Sequence, residues 1–151
     1  MVTEFDDSIF EDSILTMDPD DILGELDLEP IIRKALDKKN GVFRCKPFVE
    51  AIAHEYRRFL WLCCMYPDLP VVSSGMINEI WRLHAEETEK YAEDCEQCFG
   101  RFLPYVPHIE LHGRSDRALL VCKLRETLNL YRAHFGQPPE VIWRWGRAAL
   151  N

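Results

Sequence analysis

At 151 residues, with 47% hydrophobic, 11% aromatic and 29% charged side chains, the chain has the composition of one soluble globular domain. Its formal charge of −8 excludes a general nucleic-acid binder, because neutralising phosphates needs a basic surface. No apolar run approaches the ~18–20 residues of a bilayer crossing, and residues 1–30 lack the basic start and apolar stretch of a secretory signal.

The expected location is therefore cytoplasmic, with no membrane or nucleic-acid partner. The six cysteines (Cys45, Cys63, Cys64, Cys95, Cys98 and Cys122) are expected to be reduced. Cys63, Cys64 and Cys122 also lie in apolar helical patterns, where cysteine packs as a small hydrophobe.

Charge is uneven along the chain. Residues 1–29 hold 11 acids and no Lys or Arg, which leaves 15 acids against 18 bases in the rest. Residues 1–17 read as an acidic arm and residues 18–151 as a helical domain. Within the arm Phe5, Ile9, Phe10, Ile14, Leu15 and Met17 interleave with the acids at helical spacing. Three readings fit: a solubilising tail, docking onto the chain's own basic body, or docking onto a protein partner with a basic or apolar surface. The candidate docking residues are Phe5, Asp6, Asp7, Ile9, Phe10, Glu11 and Asp12.

Asp18-Pro19 followed by Asp20 and Asp21 supplies a cap, a first-turn proline and acids suited to a helix start. A second helix is expected from Glu29 or Pro30 to the Asn40-Gly41 stop, and a third from Pro47 to Tyr66, closed by Pro67 and Pro70. The longest element is expected from Ser74 to Phe99, with Gly100 as terminator. Residues 101–114 read as a loop. Another helix follows from Ser115 to Phe135 with Leu120, Leu124, Leu128 and Tyr131 as its stripe, then a short segment after Pro138-Pro139 with Trp143 and Trp145. No strand pattern occurs. The fold class is all-α, a bundle of four to six helices with one long central helix.

On that long element Ile77, Trp81, His84, Thr88, Tyr91, Cys95 and Cys98 step by four and three, one continuous inward stripe. Its second half offers polar groups to a buried seam. Two readings follow: an internally satisfied core network, or a metal site in which His84 joins Cys95, Cys98, Glu87 or Asp94. His84 and Cys95 lie ~16 Å apart along one helix, so a site must recruit other elements, such as His108 and His112. Cys95-x-x-Cys98 stands at a helix C-terminus, where the dipole disfavours a thiolate. Arg82 is placed to pair with Glu86 at i+4. No phosphate-binding glycine loop or serine-hydrolase elbow is present.

Several fixed-spacing motifs occur in order: Glu55-Tyr-Arg-Arg-Phe-Leu60, Ile77-Asn-Glu-Ile-Trp81-Arg-Leu-His84, Thr88, Lys90-Tyr-Ala-Glu-Asp-Cys95 and Phe99-Gly-Arg-Phe-Leu103. From about Leu26 to Gly136 the chain thereby resembles the small bacterial glycine-rich domain-containing protein-like family, whose domain also occurs in larger plant proteins. That family's pattern carries a His-x-His after the tryptophan and a later His-His pair. Here only His84 matches, with Arg82 in place of the first histidine and Pro104-Tyr105 where the pair would stand. The resemblance implies a fold and a site location near His84 more than an activity.

The function expected from the sequence is a small helical protein-binding module without catalytic turnover, its acidic arm docking a partner. The alternative is a metal-binding protein or metal-dependent enzyme. It would hold a divalent transition metal, zinc or iron, at His84, Glu87, His108 and His112.

Overall fold

Pro30 in the first turn and acidic Glu29 at the positive end start the first helix, α1, Glu29–Leu36, which buries Ile31, Ile32 and Ala35. The computed structural model describes residues 24–37, 43–106 and 114–144. The acidic arm, the helix start at Asp18, the loop histidines His108 and His112, and Trp145 lie outside them. α1 stops at Leu36, before the expected Asn40-Gly41. Asp37 turns extended (φ −63°, ψ 133°), its N–H bonds the Lys34 carbonyl, and the returning Phe43 N–H reaches the Ala35 carbonyl.

Pro47 opens α2, Lys46–Met65, at whose end Tyr66 leaves helical geometry ahead of Pro67. α2 is the axis of the core, burying Ile52, Tyr56, Phe59, Leu60 and Leu62. The Ser74 hydroxyl accepts the Ile77 N–H and caps α3, Gly75–Glu86. α4 spans Thr88–Phe99 and closes on Gly100, whose φ of +71° is the left-handed conformation that favours glycine. α5, Arg114–Phe135, is the longest helix among the described residues and ends at Gly136. α6 is the single turn Glu140–Trp143. These six helices, with no strand among the described residues, make an all-α single domain. α3 packs on α1, α2, α4 and α6, while α5 joins the main core through Tyr131 and forms a smaller cluster of Leu120 and Leu124 with Val72 and Leu128. No helix among the described residues is long and apolar enough to cross a membrane.

The expected continuous helix from Ser74 to Phe99 is corrected: it breaks at Glu87 (φ −83°, ψ 76°). Glu87 N–H bonds the His84 carbonyl three residues back, and its own carbonyl starts α4 by accepting the Tyr91 N–H at 2.7 Å. Lys34 of α1 holds the outside of the corner, 2.8 Å from Glu87 and 3.7 Å from Glu86. Thr88, expected on the inward stripe, is exposed because Glu86 to Glu89 round this corner in solvent. Ile77, Trp81, His84, Tyr91 and Cys95 are buried as expected. Arg82 pairs with Glu86 at 2.6 Å and also with Glu79. All six cysteines are unpaired, and Cys122, expected inside, is exposed.

Candidate functional site

The break at Glu87 determines what the polar stripe does. Ten residues of straight helix would separate His84 from Asp94, and Trp81 from Tyr91, by ~15 Å along the axis. Folding α4 back over α3 closes both gaps. His84 Nε2 lies 2.8 Å from Asp94 Oδ2, and Trp81 Nε1–H donates to the Tyr91 hydroxyl at 2.9 Å. That hydroxyl donates in turn to the Leu103 carbonyl at 2.5 Å. The Cys95 thiol lies beside the same hydroxyl and the Leu103 backbone.

His84 is 1% exposed and both of its nitrogens are engaged, Nδ1 lying 2.7 Å from the Tyr56 hydroxyl of α2. A carboxylate only accepts, so the neutral ring that satisfies both partners carries its proton on Nε2 and takes the Tyr56 O–H on Nδ1. Burial favours that neutral ring and lowers the His84 pKa, with the Asp94 carboxylate partly opposing it. Lys90 holds the same Asp94 oxygen at 3.0 Å from the solvent side. Tyr56 and Tyr91 are both pushed well above the ordinary phenol range, chiefly by burial.

Of the residues expected to hold a metal, His84 and Glu87 lie among the described residues, and the structure does not bring these two together. Glu87 points away from His84 to Lys34, and a metal at His84 would have to displace Tyr56 or Asp94. Among the described residues no three His, Cys, Asp or Glu side chains converge on a point; His108 and His112 lie outside those residues. Burial raises the pKa of the Cys95 and Cys98 thiols.

A second buried network escaped the sequence. Glu55 Oε1 accepts the Tyr131 hydroxyl at 2.5 Å and Trp143 Nε1–H at 2.7 Å, while Arg58 lies 3.6 Å from Oε2 and donates to the Tyr131 hydroxyl at 2.7 Å. It ties α2, α5 and α6 together. Its members are 76 and 88 residues apart from Glu55, so no local spacing announces it.

An open apolar groove is the other feature. The Pro67–Ser73 segment, residues 101–106 and the first half of α5 enclose about 320 Å³. Trp81, Leu103 and Cys63 lie deep in it, and Leu69, Val71, Val106 and Leu120 form its walls. Leu69 is 48% and Val106 62% exposed. The walls are fixed: Val72 N–H donates to the Thr127 hydroxyl of α5 at 2.9 Å, and Arg101 donates to the Cys64 carbonyl at 3.0 Å. Arg101 and Lys123 are the charged residues of the lining, which contains no carboxylate among the described residues. The double proline of Pro67 and Pro70 hints at a rigid turn, but nothing local marks it as a wall. A second, more polar cleft of about 470 Å³ lies between Leu124, Leu128 and Arg132 of α5 and residues 137–144.

No family model, curated protein or solved structure matches this chain.

Proposed function

We propose that the chain is a small helical protein-binding module without catalytic turnover. Its partner surface is the groove between Pro67–Ser73, residues 101–106 and α5, supplemented by the acidic arm. One observation carries this reading. The reactive-looking side chains of the α3–α4 seam are buried and satisfied by one another, whereas the apolar walls at Leu69 and Val106 stand open to solvent. Exposed apolar surface that is concave and rimmed by charge is what protein recognition uses. Arg101 and Lys123 select a partner segment that is apolar and acidic. A cytoplasmic setting, where the six thiols remain reduced, fits this role, and neither a nucleic acid nor a membrane is required by it.

The test places the photo-crosslinker p-benzoylphenylalanine at Val106 in cells, with the same group at Val141 as the control. Val141 is 51% exposed on α6, outside the groove. Discrete intermolecular adducts at Val106 whose crosslinked peptides are apolar and acidic, and which vanish in Leu69→Glu, are expected. Adducts no different from those at Val141 would refute the reading. So would stoichiometric zinc or iron in protein purified without an affinity tag, which would favour the metal reading around His84.

A further inference from the structure

The groove has a candidate occupant within the same chain. Resting on the groove as the partner surface, we infer that the acidic arm, with Phe10, Ile14 and Met17 as anchors, binds in cis across it and must be displaced by a partner. Phe10, Ile14 and Met17 step by four and three, which places them on one side of a helix, with Asp6 and Asp7 at its two edges one turn earlier. A narrow apolar stripe with acidic edges complements an apolar trough with a cation on each side. Arg101 stands on the 101–106 wall and Lys123 on the α5 wall, with no carboxylate among the described lining residues. This is the helix-in-groove mode of recognition.

The start of the described chain supports the geometry. Leu26 is buried, and its carbonyl accepts two N–H groups of Arg57, at 2.9 and 3.3 Å. Glu25 lies near enough to Cys98 to help raise its thiol pKa. The chain therefore enters the fold beside the end of α4, whose continuation at residues 101–106 is one wall of the groove. Along α2, Arg57 and the groove residue Cys63 are six residues apart, ~9 Å. The stretch from Met17 to Gly24 spans up to ~25 Å when extended, so the anchors reach the groove without strain. A tether this short also gives the arm a high effective concentration at its own groove, so modest intrinsic affinity suffices.

The test uses the purified full chain, without any partner, carrying p-benzoylphenylalanine at Phe10. After irradiation, crosslinked peptides from the monomer are located by mass spectrometry. Adducts concentrated on residues 66–73, 101–106 and 120–123 are expected. Their yield should fall at least ~5-fold in Lys123→Glu and in Val106→Glu. It should also fall on raising salt from ~50 to ~500 mM, which shortens the Debye length severalfold. Val106 is exposed, so its replacement leaves the melting temperature close to that of the parent and separates loss of docking from loss of fold. Adducts on the 137–144 cleft, adducts scattered over the surface, adducts only between two copies, or none above background would each overturn docking in cis. Those outcomes leave the in-cell result at Val106 intact; failure at Val106 with groove adducts from Phe10 would instead remove the external partner and leave the cis contact standing.

Discussion

Replacing Tyr91 by Phe removes one oxygen from the turn between α3 and α4 and nothing else. That hydroxyl accepts Trp81 Nε1–H at 2.9 Å and donates to the Leu103 carbonyl at 2.5 Å, and Tyr91 is 2% exposed. Water therefore does not replace it, and the indole N–H and the carbonyl are both left short of a partner. A buried polar group without a partner costs about 1–3 kcal/mol, so the pair should cost about 2–6 kcal/mol. Urea unfolding followed by tryptophan fluorescence measures this, with the slope against denaturant unchanged because the buried surface is unchanged. Trp81→Phe and the double variant complete a cycle, and a coupling of about 1 kcal/mol or more is expected because the two side chains share one bond. In a straight helix they would not meet. A loss under ~1 kcal/mol, or a coupling near zero, would refute the folded-back arrangement. Thr88→Ala, at the exposed corner, should stay within about 0.5 kcal/mol of the parent.

Glu55→Ala should destabilise by about 2–6 kcal/mol, since it removes the acceptor of the buried Trp143 and Tyr131 donors, at about 1–3 kcal/mol each; Glu55→Gln keeps the Oε1 acceptor and should cost clearly less in the same unfolding assay. Burial lowers the pKa of both His84 and His134, so below about 6.5 the unfolded chain takes up protons that the fold refuses. Stability should be fully present above that pH and decline as pH falls towards the folded values, by at most about 1.4 kcal/mol per pH unit for each histidine. Chemical denaturation at pH 7.5 and 5.5 checks the sign, and a profile flat or rising on acidification would contradict it. Asp94→Asn removes a group that favours the charged ring and should widen the pH range over which His84 contributes to this decline. Six thiols should titrate in denaturant without reductant. In the native protein the exposed Cys45 and Cys122 should react first, while Cys63, pushed up to about 12 by burial, and buried Cys95 should wait for unfolding; rapid reaction of all six would show the α2 and α4 sites to be open.

The elements most legible in the sequence are those with explicit punctuation. Pro30, Pro47, Ser74, Gly100 and Gly136 each sit where a helix starts or stops, because these residues restrict or free the backbone independently of tertiary context. The stripe Leu120, Leu124, Tyr131 is inward as its spacing requires. Cys122 is two residues from Leu120, about 200° round the helix. Its exposure was therefore readable from angle even though its neighbours are apolar. The groove was not readable, because its walls come from three separate segments, at 67–73, 101–106 and 120–123, whose apolar residues each look like ordinary core.

The break at Glu87 shows what periodicity cannot report. Spacing by three and four records which residues face inward, and a corner that preserves the phase of the stripe leaves that record unchanged while turning the axis back. The available sign was compositional: Glu86, Glu87, Thr88 and Glu89 form a full exposed turn with no apolar member, which a helix buried along its whole length would not contain. On a straight helix His84 and Cys95 stand ~16 Å apart, so the spacing leaves open both a satisfied core network and a metal site that recruits other elements. With the corner in place, each polar group of the seam has a protein partner, and the cost of burying it is offset within the fold. His84, Tyr91 and Asp94 then serve to hold α4 against α3. That same turn carries residues 101–106 past Trp81 to face α5, so the network that satisfies the seam also builds one wall of the groove proposed as the binding surface.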